Sequence, residues 1–245
     1  MNPLASRIGT LIVGFVLAAI AIFILGPAGQ FNPWEFWVWI HVIVGIAWVG
    51  LLYYFNFIQV PAVLQAVSDG DPGPAAINKY IAPRALFWFR YAAILTWFTG
   101  AAALEAMHTA DGSGFVAAFT FQEGYRIIGM GAWLGTIMLF NVWVLIWPNQ
   151  KKILGLVQSS REEIARAKTI ALMASRTNTA LSIPMLLGMT AHMHGLPICS
   201  SAGLRFSNPA HAGFFPGEQA PAGQSAILNC CAHPKRVSRF PAHAL

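Results

Sequence analysis

Residues 34–60 read WEFWVWIHVIVGIAWVGLLYYFNFIQV and are followed by Pro61. Glu35 is the one formal charge in the stretch. About 18 or more consecutive apolar residues can cross the hydrocarbon core of a bilayer as a helix, and this run exceeds that length. Four more runs accompany it: Ile8 to Gly26, with no charge; about Ala85 to Met107, interrupted by Arg90 and Glu105; about Tyr125 to Trp147, stopped by Pro148; and about Thr177 to Met193, with Pro184 inside it. The second run is expected to stop at Pro61, because a proline removes a helix donor and clashes with the preceding turn. The fold class predicted is all-α: a polytopic membrane helix bundle of about five transmembrane helices. Residues 1–194 form the helical domain and residues 195–245 an irregular periplasmic tail.

Composition excludes the rival classes. The chain has 245 residues, 56% apolar, 13% aromatic and 10% charged, with mean hydropathy +0.57. Soluble domains carry about 25% charged residues, and disordered chains are poor in apolar ones. The formal charge of +6 would suit a nucleic-acid binder, but the basic residues fall between apolar runs and make no patch. The three cysteines all lie beyond position 198 and supply neither a zinc nor a disulfide framework.

The first run is read as a retained helix rather than a cleaved leader. Its apolar stretch exceeds the roughly 7–15 residues of a signal-peptide core, and Gly26-Pro27-Ala28 puts proline beside the cut. Lys and Arg then set orientation. Arg7 precedes the first helix; Lys79 and Arg84 lie between the second and third. Lys151, Lys152, Arg161, Arg166, Lys168 and Arg176 lie between the fourth and fifth. The loops near Gln30 and Gly112 hold none, and Arg126 only borders the latter. The N-terminus is therefore expected in the cytoplasm of a Gram-negative cell, its inner membrane the host bilayer, with residue 195 onward in the periplasm. REEIARAK, residues 161–168, reads as a short amphipathic helix on the cytoplasmic surface. Past Gly195 the chain is rich in Gly, Pro, Ala and Ser without periodicity. Its CCAH, residues 230–233, is not the CxxCH of haem attachment.

Ionisable residues inside membrane helices are costly and direct attention to function. His41 lies one to two turns below the expected outer end of the second helix. Gly45 and Trp48 follow at i+4 and i+7 on the same face. An imidazole with a missing side chain one turn away suits haem b, the glycine leaving room for the porphyrin. His108 at the end of the third helix, and His192 and His194 at the end of the fifth, lie near the same surface, so His41 and His192 are the candidate ligands of the haem iron. Met185 and Met189 share a face with His192. The plainer reading gives each histidine a neighbouring carbonyl or an interfacial place. Gly131 and Gly135, a small-xxx-small pair, read as a close helix contact.

A second cluster gathers at the expected inner ends: Asn56 and Gln59, Arg84 and Arg90, Asn141, Asn149 and Gln150, Arg176 and Asn178. Arginine offers fixed donors to a planar anion, and amides both donate and accept. The set Arg90, Asn141, Asn56, Arg176 and Asn178 would suit a small flat anionic heterocycle. Arg84 and Arg176 are alternatively plain anchors at the basic side.

The segments HVIVGIAWVGLLYYFNF (41–57), NKYIAPRALFWFRYAA (78–93), MLFNVWVLIWPNQKKILG (138–155) and SRTNTALSIPMLLGMTAHMHG (175–195) resemble the membrane domain of PuuD-type bacterial urate hydroxylases, over roughly residues 34 to 194. The histidine-to-tryptophan pattern is also similar to HemJ-type haem-binding membrane proteins, and that resemblance implies haem on His41. The PuuD-type resemblance implies oxidation of urate to 5-hydroxyisourate, in purine catabolism, with electrons leaving to a cytochrome c domain. This sequence has no CxxCH, so the resemblance implies a separate periplasmic cytochrome c, a relative with a different substrate, or a sequence that is a piece of a longer chain. Two rivals use the same residues: an accessory membrane subunit of a respiratory or photosynthetic complex with structural histidines, and a carrier for a purine-like anion without redox chemistry.

Overall fold

The computed structural model describes residues 2–26, 31–109 and 112–196. The expected tail, with its cysteines, lies outside them apart from Gly195 and Leu196. Two units are distinguished, residues 1–33 and 34–245. The first contains α1 (Arg7–Leu25), capped by the Ser6 side chain, which accepts from Gly9 N–H. No residue of α1 is buried.

Among its described residues the second unit is mainly helical, with one hairpin of two-residue strands. Its elements are α2 (Pro33–Tyr54, the first residue belonging to the other unit), α3 (Val60–Asp69), α4 (Ala82–Ala106), β1 (His108–Thr109), β2 (Gly112–Ser113), α5 (Gly114–Phe119), α6 (Arg126–Phe140), α7 (Trp147–Ile153) and α8 (Arg161–His194). The third expected helix ends at Ala106, so His108 is in a strand, its backbone opposite Ser113, and does not close a helix.

Three π-helical segments correct the expected stops at Pro61 and Pro148. They span Phe55–Gln59, Ile77–Ile81 and Asn141–Ile146, and each ends two residues before a proline: Pro61, Pro83 and Pro148. The residue just before each proline donates five positions back: Val60 to Phe55, Ala82 to Ile77 and Trp147 to Val142. A proline ring clashes with the carbonyl four residues earlier. The wider π turn carries the chain past that obstruction, and the helix continues.

Among the described residues, three stretches are long and apolar enough to cross a membrane: Arg7–Leu25, Pro33–Asp69 and Arg126–Ile153. The other two expected spans fall on α4, which carries Arg84, Arg90 and Glu105, and on α8. REEIARAK is not a separate surface helix. It is the first part of α8, which runs 34 residues, about 51 Å at 1.5 Å per residue. Ser160 and Glu163 form a reciprocal capping box at its start. An alanine-rich stretch, residues 165–174, then joins the charged turns to the apolar ones without a break.

Buried Ala167, Ala171, Ala174, Asn178, Ser182, Met185, Gly188 and Ala191 make one seam along α8. Small residues there let α6 come close. A Cβ on Gly188 would stand 2.8 Å from Gly131 N and 2.9 Å from Ile127 O. The expected glycine contact is thus real at Gly131, whereas a Cβ on Gly135 would meet nothing within 4 Å. The core gathers Trp48, Leu52, Phe55, Leu86, Phe89, Met138, Val142, Ile146 and Met185. Large apolar side chains also point outward, among them Ile46 (68% exposed), Phe98 (61%) and Ile183 (65%). Helices apolar on both faces are compatible with lipid around the bundle.

Candidate functional site

α2 and α4 run antiparallel: His41 lies against Thr96 and Gly100, Gly45 against Thr96, and Phe55 against Phe89. His41 is half-buried, eight residues into α2. Its Nδ1 is 2.8 Å from the Thr96 carbonyl oxygen and 3.3 Å from Thr99 Oγ1. A carbonyl only accepts, so Nδ1 carries the proton and donates. Among the described residues Nε2 has no hydrogen-bond partner. A histidine anchored through one nitrogen to a backbone oxygen has its other nitrogen to offer to a metal. Gly45 lies on α2 facing α4: a Cβ there would make ordinary van der Waals contact with the Thr96 methyl at 3.7 Å. Trp48 is 2% exposed and belongs to the core, with its buried Nε1 unpartnered.

His192 and His194 lie on the last turn of α8. His192 is half-buried on α8, its ring 5.8 Å from that of Tyr125. His194 is exposed at the end of α8. Met185 is buried, and its backbone, with that of Met189, lies against Gly131. No group of three His, Cys, Asp or Glu side chains gathers for a metal ion among the described residues. Haem asks less of a protein, since the porphyrin supplies four nitrogens, and a single imidazole nitrogen such as His41 Nε2 is what the chain would have to supply.

The polar residues of α2, α4, α6 and α8 meet only in part. Asn141, in the third π segment, donates through Nδ2 to Asn178 Oδ1 at 2.8 Å, and Asn178 Nδ2 donates to Met138 O at 2.9 Å. Both are buried. Asn56, in the first π segment, donates through Nδ2 to Leu52 O at 2.9 Å and Ser175 Oγ at 2.8 Å. Arg176 is exposed on α8, and exposed Arg84 donates to Tyr80 O.

Arg90 is different. It is 9% exposed, and its guanidinium carbon lies 3.4 Å from the centroid of the Trp147 ring. Cation–π contact stabilises a desolvated guanidinium by about 2 kcal/mol, but among the described residues the buried Nε has no acceptor. Asn56 Oδ1, Gln59 Oε1 and Trp143 Nε1 are also buried and unpartnered. Trp143 and Tyr91 meet edge to face at 6.2 Å, one position along from the Arg90–Trp147 pair on α4. An open groove of about 620 Å³ lies at the α7–α8 turn around Lys152, Gly155, Ser160 and Glu163. It shares no residue with either cluster.

Thr96, Thr99, Gly100 and Trp147 were not among the residues expected to matter. TWFTG, residues 96–100, places two threonines and a glycine at i, i+3 and i+4 on one helical face. That spacing was the available signal. For Trp147 it was the position immediately before Pro148.

A family model described as urate oxidase N-terminal matches residues 113–202. The match covers α5 to α8, including Asn141, Trp147, Asn178 and His192, but not His41 or Arg90. It supports a relation to urate oxidases over well under half of the chain. No curated protein and no solved structure matches.

Proposed function

We propose that this chain is an integral-membrane redox protein of the urate hydroxylase kind. It crosses the inner membrane five times from a cytoplasmic N-terminus and holds haem b through His41. It oxidises a small planar substrate, urate in the first instance, and delivers electrons to a periplasmic cytochrome c. The observation that carries the reading is His41: a histidine inside a long apolar helix, its Nδ1 proton committed to the Thr96 carbonyl and its Nε2 free. The urate oxidase N-terminal match supports the substrate.

Bound haem would supply a one-electron store that a protein of these side chains lacks. His41 would hold the iron. Arg90 is the residue best fitted to a urate monoanion, because its Nε–H is buried and unpaired. The Trp147 ring holds one face of the guanidinium and leaves its donor edge for paired hydrogen bonds to a flat acceptor. Asn141 and Asn178 are assigned to the scaffold, since each amide nitrogen already has an acceptor. In forming 5-hydroxyisourate, urate takes up water and releases two electrons and two protons.

The test is an anaerobic optical spectrum of the purified full chain, before and after urate. A Soret band that shifts on reduction by urate is expected, and His41→Ala should remove the band while protein stays in the membrane. Haem that urate never reduces would shift the reading to an electron-transfer subunit. A preparation that takes up no haem when it is supplied would end the redox reading.

A further inference from the structure

A neutral imidazole has one proton, and its acceptor decides which nitrogen remains a base. At His41 that choice is made by α4. The Thr96 carbonyl takes the Nδ1 proton at 2.8 Å. Thr99 Oγ1, 3.3 Å from Nδ1, directs its own proton towards Leu95 O at 2.7 Å and Thr96 O at 3.1 Å. What it turns to Nδ1 is therefore a lone pair. Two acceptors converge on one N–H.

Gly100 sets how close the ring comes. A Cβ there would stand 2.8 Å from His41 Cε1 and 3.0 Å from Nδ1. These atoms belong to a rigid ring already bonded to α4, so a methyl group would have to push the ring off its acceptor. Thr96, Thr99 and Gly100 lie at i, i+3 and i+4, and the Thr96 hydroxyl is bonded back to Ala92 O at 2.7 Å, which keeps it away from the imidazole.

We propose that the Thr96–Gly100 turn of α4 is a positioning element that presents His41 Nε2 as the coordinating atom for haem iron, a role that rests on the haem reading above. The acceptors on Nδ1–H make Nε2 a stronger donor, and a stronger donor favours the ferric over the ferrous state. Gly100 fixes the distance at which this happens.

The test compares wild type, His41→Ala, Gly100→Ala, Thr99→Val and Gly50→Ala as purified full-length proteins. Gly50 is the control, since a Cβ there meets nothing within 4 Å. The readouts are haem-to-protein ratio and midpoint potential. Gly100→Ala should weaken haem retention about tenfold, the scale on which outer-sphere partners act, and raise the potential of the haem that remains. Thr99→Val keeps the volume and removes one acceptor, so it should retain haem at a higher potential. It carries the test if Gly100→Ala fails to accumulate. Gly50→Ala should match wild type. Wild-type occupancy and potential in both Gly100→Ala and Thr99→Val, with His41→Ala devoid of haem, would overturn the positioning role and leave the haem reading standing. Full haem in His41→Ala would overturn both.

Discussion

The Asn141–Asn178 pair separates a scaffold role from a ligand role by energetics alone. Asn178 is fully buried and Asn141 is 8% exposed. Asn178→Ala removes the acceptor 2.8 Å from Asn141 Nδ2 and the donor 2.9 Å from Met138 O. A stranded buried donor costs about 1–3 kcal/mol, so this single variant should be destabilised by about 2 kcal/mol. Asn141→Ala strands Asn178 Oδ1 but leaves the bond to Met138 O, so its cost should be smaller, about 1 kcal/mol on the same scale. In the double variant no stranded amide remains. Its cost should fall short of the sum by the coupling of the pair. Side-chain hydrogen bonds inside membrane proteins couple by about 0.6 kcal/mol on average and up to about 1.7, and a fully enclosed amide pair belongs near the upper end. The assay is equilibrium unfolding of the four proteins in mixed micelles, followed by tryptophan fluorescence, with urate-dependent haem reduction measured in parallel. Additivity within about 0.5 kcal/mol would refute the coupling. Loss of urate response in a folded Asn141→Ala protein would return that residue to the substrate site.

Three other outcomes are expected. Gly188→Ala forces a Cβ to within 2.8–3.0 Å of α6 backbone atoms, so it should lower stability by about 1–3 kcal/mol; Gly135→Ala, with open space around it, should not, and thermal midpoints in detergent compare the two. Arg90→Gln should weaken urate-dependent haem reduction about tenfold, or 1.4 kcal/mol, while Arg84→Gln, already bonded to Tyr80 O and exposed, should change it little; equal effects would remove Arg90 from the substrate site. Glu163 is held below the ordinary glutamate range, first by the Ser160 backbone N–H and then by Lys152. Its folded pKa is depressed, so its support of α8 is complete above the unfolded value and is lost as pH falls through the folded one. The protection of the Ile164 amide, its exchange rate taken relative to the intrinsic rate at each pH, should therefore fall in acid, and Glu163→Gln should flatten that dependence.

The helices were legible because lipid-compatible elements are apolar over both faces: Ile46 and Phe98 stand outside as plainly as Leu52 and Phe89 stand inside. Their ends were less legible. Pro61 and Pro148 carry a local penalty that reads as a stop, and the π turns that circumvent it depend on a hydrogen-bond pattern no residue type announces. The extent of α8 was hidden because a charged segment and an apolar one look like two elements, though one helix longer than a bilayer core holds both. His41 was visible as a lone imidazole in an apolar run. Its acceptor, 55 residues away on α4, was not, since helix pairing comes from packing. The same holds for Asn141, whose partner is 37 residues on, and for Arg90, whose aromatic neighbour lies on α7.

Each π turn can also be read as one surplus residue in an otherwise α-helical thread. A residue advances an α-helix by about 100°, so the surplus clocks everything downstream by that angle relative to what lies upstream. For the segment Asn141–Ile146 the downstream piece begins with Trp147, the ring that covers Arg90. Removing one residue, for instance Val144, which is exposed within the segment, would restore plain α-helical pitch. It would also swing the indole to another bearing, with every side chain still present. Arg90 would lose its cover through phase rather than chemistry. Spacing between Asn141 and Trp147 is thus as much a specification of this protein as the identity of either residue.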